Sequence, residues 1–239
     1  MTKNIVGAEA ALTFKADSVE KERIKKGYRI REIDEKLREK RTRTEARLIR
    51  EARRAGVLTP QVLSEDRFTI TMEKINGKKV RDAIDRRNHK KIAQKIAAAV
   101  SALHSYGIVH GDLTTSNMII SRKKTQSKKE KNSDLCLIDF GLGFFSQRAE
   151  DKATDLHLLR AALTSTHHEF SDSMWKIVLD TYGKSSGAES VLKALSKIEK
   201  RGRYSKRKKN EGHRGIPEGF RPQARLAMGR GKGRRRVHG

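Results

Sequence analysis

Two carboxylates and one amide in this chain have the order and spacing of a reactive site. Asp112 and Asn117 stand five residues apart in the run His110-Gly111-Asp112-Leu113-Thr114-Thr115-Ser116-Asn117, and Asp139-Phe140-Gly141 follows downstream. Phosphoryl transfer from a nucleoside triphosphate needs a carboxylate near the attacking oxygen and oxygen ligands for the Mg²⁺ that neutralises the phosphates. Asp112 suits the first task, and Asn117 with Asp139 suits the second. The plain alternative is an Asp and an Asn that satisfy backbone groups in a turn. Asp-Phe-Gly alone is a weak signal. Joined to the Asp/Asn pair, in this order and across strand-like runs, it becomes a specific one.

The same chemistry calls for a lysine on a strand, paired with a glutamate on the following helix, to hold the α- and β-phosphates. Val19-Glu20-Lys21-Glu22-Arg23 offers the strand. Side chains alternate along it, so Lys21 can point inward. The helix that follows carries several acids, and periodicity does not select Glu45 over Glu39.

The elements that must position these groups can be read from the pattern. Residues 3–24 read as short strands broken at Gly7 and at Ala16-Asp17-Ser18. Residues 31–55 read as a long helix with an apolar stripe of Ile33, Leu37, Leu48, Ile49 and Ala52, ended by Gly56 with Pro60 beyond. Strand-like stretches follow around Gln61–Leu63 and Arg67–Met72, then a polar crossing at Glu73–Lys79. A second helix, Lys90–Tyr106, carries Ile92, Ile96, Ala99, Val100 and Leu103 at helical spacing. Met118-Ile119-Ile120 and Leu135–Phe140 bracket a basic spacer, Ser121–Asp134, which reads as the loop of a hairpin. Helical segments continue at Leu156–Leu163, Met174–Tyr182 and Ser190–Glu199. Beyond about Arg203 periodicity is lost and Gly, Arg and Lys accumulate, the composition of a disordered basic tail.

Composition bounds the rest. Apolar residues make up 35% of the chain, and 55 Lys/Arg stand against 29 Asp/Glu, a formal net charge of +26. Fifteen of those cations but only two acids, Glu211 and Glu218, lie between Lys200 and Gly239, so half of the excess sits in the last forty residues. Such a block points to a polyanionic partner. The single cysteine, Cys136, excludes a disulfide framework and a cysteine zinc site, and its apolar neighbours predict a buried thiol. The N-terminal residues lack a signal-peptide core and no run is long enough to span a bilayer, so a cytoplasmic protein is expected.

Three features are decoys. Gly183-Lys184-Ser185 resembles the end of a Walker A loop, but Val178 stands where that motif needs glycine. His167 and His168 are adjacent and so do not share a face. Trp175 lies on an amphipathic stretch and reads as core.

Further motifs make a family resemblance specific. Gly7-Ala8-Glu9-Ala10, Lys26-Gly27-Tyr28-Arg29, Ile33-Asp34, Arg41-Thr42 with Glu45-Ala46, and the Leu113-Thr114-Thr115-Ser116 loop resemble the small atypical kinase/ATPase subunit of the KEOPS (EKC) complex, in its archaeal form. Glu150-Asp151-Lys152, Asp155-Leu156, Ser165-Thr166-His167 and Arg201-Gly202-Arg203 extend the likeness over roughly residues 5–205. It implies an α+β, protein-kinase-like two-lobed fold. A small β-rich N-lobe with one long helix would occupy residues 1–75, a reduced, mainly helical C-lobe residues 76–205, and a basic tail residues 206–239.

The resemblance also implies roles. Lys21 would be the ATP-phosphate lysine with Glu45 as its partner, and Gly7, Ala8, Glu9 and Ala10 would form the turn covering the nucleotide. Met72, Glu73 and Ile75 would line the hinge at the adenine. Asp112 would be catalytic, with Asn117 and Asp139 on Mg²⁺. The implied function is ATP hydrolysis in support of N6-threonylcarbamoyladenosine formation at position 37 of tRNA. The implied partners are the threonylcarbamoyl-transferase subunit, other KEOPS subunits and tRNA.

The chain departs from an ordinary protein kinase in ways that favour hydrolysis over phosphorylation of varied proteins. No Ala-Pro-Glu follows Gly141, Glu150-Asp151 arrives within ten residues, and Thr114 stands where a γ-phosphate lysine is usual. Two alternatives remain open at this level: a free-standing atypical Ser/Thr kinase of ribosome maturation, and a tRNA-binding scaffold with dispensable catalysis. In the tail, Lys206-Arg207-Lys208-Lys209 and Arg234-Arg235-Arg236 are the candidate RNA-phosphate contacts.

Overall fold

The computed structural model describes residues 3–121 and 135–211, with side chains of the last helix through Arg201. The chain divides into a packed unit ending at Arg201 and a second unit beginning at Gly202. The basic spacer and residues 212–239, including Arg234, Arg235 and Arg236, lie outside the described residues.

Three strands open the packed unit: β1 (Lys3–Val6), β2 (Ala10–Phe14) and β3 (Ser18–Arg23). Helix α1 (Arg31–Arg54) follows, then β4 (Val62–Glu65) and β5 (Thr69–Glu73). All five strands form one antiparallel sheet in the order β1-β2-β3-β5-β4, in which Lys21 stands opposite Leu12 and Ile70. The breaks at Gly7 and at residues 16–18 fall where the sequence places them.

Helix α1 departs from the expected stripe. Leu48, Ile49 and Ala52 are buried as predicted, but Ile33 and Leu37 are exposed, and the buried positions before Ala46 are Asp34, Thr42 and Glu45. The reason is what each half packs against. The C-terminal half joins the main apolar core, while the N-terminal half faces a charged layer at the end of β3. Glu32 and Asp34 at the start and Arg53 and Arg54 at the end oppose the helix dipole.

Next come β6 (Gly77–Lys79), the short α2 (Val80–Ala83), α3 (His89–Ser105) and β7 (Ile108–Val109). A 3-10 turn (Thr115–Asn117) leads into β8 (Met118–Ser121). Beyond the spacer lie β9 (Leu135–Leu137), β10 (Phe144–Phe145), α4 (Ala149–Thr166), α5 (Ser171–Tyr182) and α6 (Ala188–Glu211). Strands β8 and β9 pair antiparallel, with Met118 opposite Leu137, so the predicted hairpin exists. Strand β6 pairs β8 on its other edge, and β10 pairs β7. The two-residue strands and α2 are too short to leave a periodic signal. Helix α6 continues to Glu211, so Lys206–Lys209 carry helical backbone where the composition suggests a tail. Among the described residues no helix is long and apolar enough to cross a membrane.

One apolar core runs from Leu48 and Ile49 of α1 through Val100 and Leu103 of α3, Leu137 and Phe140, to Leu156, Leu159 and Leu163 of α4 and Trp175 of α5. Cys136, between the core residues Leu135 and Leu137, is buried as predicted, and burial pushes its thiol pKa up to about 12. Leu48 is fully buried and ties the helix that carries Glu45 to this core. Leu48→Ala should therefore destabilise the protein by about 2–5 kcal/mol, measured by denaturant unfolding. The loss should be larger than that of an alanine substitution at exposed Leu37.

Candidate active site

The β3 alternation places Lys21 toward α1, and Glu45 meets it there. Lys21 Nζ lies 2.6 Å from Glu45 Oε1 and 2.8 Å from Asp139 Oδ1. Glu39 is engaged elsewhere, with Arg43 at 2.7 Å and Arg67 at 3.2 Å, so the structure selects Glu45. Burial works against the Lys21 ammonium, but the charges of Glu45 and Asp139 outweigh it and hold its pKa above that of an ordinary lysine. Burial likewise opposes the Asp139 carboxylate. Lys21 and the Gly141 N–H outweigh that and hold the carboxyl below its usual range. The neighbouring Glu20 pairs with Lys15 at 2.7 Å.

Asp139 is the one described non-glycine residue with positive φ, at 63°. Such a backbone is uncommon for an aspartate and marks a residue held for its side chain. Its Oδ1 accepts from Lys21 Nζ and Gly141 N, and its other oxygen has no partner among the described residues. Across the hairpin, Asn117 Nδ2 donates to Asp112 Oδ2 at 2.8 Å and to Asp112 O at 3.0 Å. The 3-10 turn and the Ile138 N–H bond to Asn117 O at 3.0 Å bring the two motifs side by side.

A buried layer beneath fixes the loop. Asp155 of α4 accepts from His110 N at 2.6 Å and Gly111 N at 2.9 Å, and His104 Nε2 lies 3.3 Å away. His110 Nε2 contacts Ile138 O at 3.1 Å, while its Nδ1 accepts from Asp112 N at 3.4 Å. The ring therefore needs one donor and one acceptor nitrogen, the neutral form. Burial favours that form and lowers the His110 pKa, with Asp155 opposing. Gly111 adopts φ 78°, and a Cβ there would come within 2.2 Å of Leu142 O. Only glycine lets the two loops pass this closely.

Two connected chambers open above these groups. One has mainly apolar walls, among them Leu12, Val19, Met72, Ile75, Ile119 and Ile138, and is also lined by Glu45, Glu73, Lys74 and Lys79. The other, the charged chamber, gathers Glu9, Lys21, Arg23, Arg41, Asp112 and Asp139 under the Gly7–Ala10 turn, with Ile5, Leu12 and Leu142 beside them. Lys21 and Asp139 line both. The turn from Gly7 to Ala10 is closed by a Gly7 N–H bond to Ala10 O at 3.0 Å, and Glu9 ties it to α1 through Arg41 at 2.9 Å.

Comparison with known proteins agrees with this geometry. Residues 10–176 match the protein kinase domain family. The Bud32 homologue of Archaeoglobus fulgidus, named a probable serine/threonine-protein kinase, is 36% identical over 86% of this chain and 97% of its own length. The chain belongs to the Bud32 family of protein kinases. A second Bud32, the KEOPS complex subunit of Pyrococcus abyssi, is 40% identical over 78% of this chain and 84% of that one. The probable bifunctional tRNA threonylcarbamoyladenosine biosynthesis protein of Methanothermobacter thermautotrophicus is 43% identical over 77% of this chain. This Bud32 chain spans about a third of the length of such bifunctional relatives, 32% in that case. Among solved structures, the Rio2 kinase of Chaetomium thermophilum in its ADP/Mg²⁺-phosphoaspartate complex superposes with a TM-score of 0.58 at 15% identity, covering 83% of this chain and 70% of that one, a likeness of fold.

Within this Bud32 fold the predicted residues Gly7–Ala10, Lys21, Glu45, Met72, Glu73, Ile75, Asp112, Asn117 and Asp139 converge on one cleft. Lys206–Lys209 lie in the backbone of α6, and their side chains are outside the described set. His167 is buried with its Nε2 3.4 Å from Thr115 Oγ1, Trp175 packs in the core, and Gly183–Ser185 form a turn after α5, as the decoy readings require. Sequence reasoning gave no role to Asp155 or Arg23. Both had a trace. Asp155 interrupts an apolar stripe with Leu159 and Leu163, and Arg23 repeats the strand face of Lys21 two residues on.

Two measurements test this layer. Asp155→Asn replaces an acceptor of two backbone N–H groups by an amide that can satisfy only one, and should lower stability by about 2–3 kcal/mol, read by thermal unfolding. Because the His110 pKa is depressed in the folded state, the stability it confers is complete above the unfolded value near 6.5 and is lost as pH falls through the folded value. His110→Gln should flatten the decline of Tm below pH 6.5 and leave Tm at pH 8 less pH-dependent than wild type is in acid.

Proposed function

We propose that this chain is the ATP-hydrolysing, atypical Ser/Thr kinase subunit of a KEOPS-type complex, supporting formation of N6-threonylcarbamoyladenosine at position 37 of tRNA. One observation carries the ATP reading: a chamber walled by Val19, Met72, Ile75, Ile119 and Ile138 and a chamber that gathers Arg23, Arg41 and Asp112 meet at Lys21 and Asp139. A nucleotide has the same division, with a flat apolar base at one end and a polyanion at the other. Met72, Glu73 and Ile75 would meet the base. Lys21, held by Glu45, would meet the α- and β-phosphates, and the Gly7–Ala10 turn would cover them with its backbone. Placement on a sheet strand, with its partner on a helix, gives the lysine a fixed position, which is where most of the rate of such sites originates.

The free oxygen of Asp139 and the amide oxygen of Asn117 are hard donors, and Asn117 Oδ1 has no hydrogen bond among the described residues. Mg²⁺ is bound in phosphate sites through one or two such ligands, with phosphates and water completing its shell, so the pair fits it. When bound there it would neutralise charge on the phosphates. Asp112, whose Oδ2 is held by Asn117, would orient the attacking hydroxyl or water and accept its proton. Only residues 142–148, with the two-residue β10, separate the Asp-Phe-Gly turn from α4, which starts at Ala149, and this leaves little surface for a peptide substrate. That favours hydrolysis, with phosphorylation of Ser/Thr as the lesser activity.

The named roles of the relatives support the larger setting: threonylcarbamoyladenosine biosynthesis and membership of a KEOPS complex. The partners would be the threonylcarbamoyl-transferase subunit, the other KEOPS subunits and tRNA, in the cytoplasm, with the basic residues 206–239 meeting RNA phosphates. The test is ATP hydrolysis by the purified chain, with and without the transferase subunit and tRNA. Asp139→Asn should abolish Mg²⁺-dependent turnover. Asp112→Ala should lower kcat by about 100-fold or more, as loss of a general base does, with ATP affinity nearly kept. A folded Asp139→Asn protein with normal turnover would sink the assignment.

A further inference from the structure

The nucleotide reading uses Lys21 and leaves Arg23 without a task. The two lie two residues apart on β3, so both leave the same face of the strand. Arg23 is 5% exposed, rare burial for an arginine, and its Nε is buried without a partner. A side chain that leaves one donor unsatisfied is placed by something stronger than its own bonding needs. Here that is Glu45: Arg23 NH2 lies 2.5 Å from Glu45 Oε2, while Lys21 takes Oε1. One buried carboxylate is thus held by two cations, one on each oxygen.

The grip extends along the helix. Arg23 also donates to Arg41 O at 3.4 Å, and Arg38 returns a bond to Arg23 O at 3.4 Å. Arg38 is itself set by Asp34 at 2.7 Å, and Asp34 accepts from Lys26 N at 3.3 Å. Successive turns of α1 are therefore clasped to the end of β3 without Lys21. Lys21, by contrast, is shared with Asp139, and phosphates in the charged chamber would compete for it. A helix held through Lys21 alone would lose part of its hold as nucleotide arrives.

In regulated kinases the lysine–glutamate pair must be assembled, and activation-segment phosphorylation and helix position control that. This chain has only residues 142–148 between Gly141 and α4. We propose that Arg23 is a positioning residue that keeps Glu45 and α1 in the nucleotide-ready place whether or not nucleotide is bound, so that α1 is a fixed element and not a switch. The inference rests on the ATP reading of the cleft.

The test uses the full chain and two readouts. The first is amide exchange of residues 38–49 without nucleotide, which reports local opening. It should be slow in wild type and in Lys21→Ala, about tenfold faster in Arg23→Met, and restored toward wild type in Arg23→Lys, which keeps the charge. The second is Mg·ATP turnover. Arg23→Met should lower kcat about tenfold with KM changed less than about threefold, and the loss should largely vanish in a Glu45→Gln background, because the two act as a unit. Wild-type exchange in Arg23→Met, or equally fast exchange in Lys21→Ala, would overturn the proposal. So would a lower Tm with unchanged kcat at a temperature where both proteins are folded. Should Arg23→Met fail to fold, Arg23→Gln is read by the same criteria. If wild type shows no turnover, the ATP reading fails, and the exchange comparison still decides the role of Arg23.

Discussion

A carboxylate with almost no exposed surface cannot stay ionised without partners, and Glu45 is such a group. Its two oxygens bind Lys21 and Arg23, and Lys21 in turn binds Asp139. The result is a row of alternating charges from the N-terminal sheet to the Asp-Phe-Gly turn. Removing Glu45 would leave the buried Arg23 without its carboxylate, a cost of about 3–5 kcal/mol for such pairs. This row explains why α1 buries Asp34, Thr42 and Glu45 before Ala46 while Ile33 and Leu37 face outward.

A second buried carboxylate does for the C-terminal lobe what Glu45 does for the sheet. Asp155 is fully buried, and it gathers the N–H groups of His110 and Gly111, with His104 beside it and Tyr182 hydroxyl 2.9 Å from the same imidazole. Such an acceptor fixes loop backbone as a strand would, without requiring strand geometry. The loop of residues 110–117 can then present Asp112 and Asn117, supported by core helices. Burial pushes the Tyr182 hydroxyl pKa upward, so it remains a neutral partner to His104 at physiological pH.

The shortness of the segment after Gly141 follows from the same economy of parts. Phe144 and Phe145 pair with Val109 and Ile108, so the chain returns to the loop strand at once and enters α4. Arg47 of α1 lies over the Phe145 ring at 4.8 Å, joining this return to the helix that carries Glu45. With the helix clasped by Arg23 and the segment short, the charged chamber is assembled from rigid elements.

The sequence by itself determined the longer elements, the hairpin that joins Asn117 to Asp139, the Lys21 strand and the spacing of Asp112, Asn117 and Asp139. Those signals are local: spacing, alternation and helical period report on neighbours within a few residues. What only the tertiary structure decided was pairing at long range. Glu45 over Glu39 turns on which acid of one helix faces β3, a matter of rotation that a helix dense in charge does not encode. The roles of Arg23 and Asp155 were decided there too. A buried charge looks like any surface charge in a sequence until its partner is brought within hydrogen-bond reach: the Glu45 carboxylate, 22 residues away, for Arg23, and the His110 backbone N–H, 45 residues away, for Asp155. Burial then turns an ordinary side chain into one that the fold must satisfy.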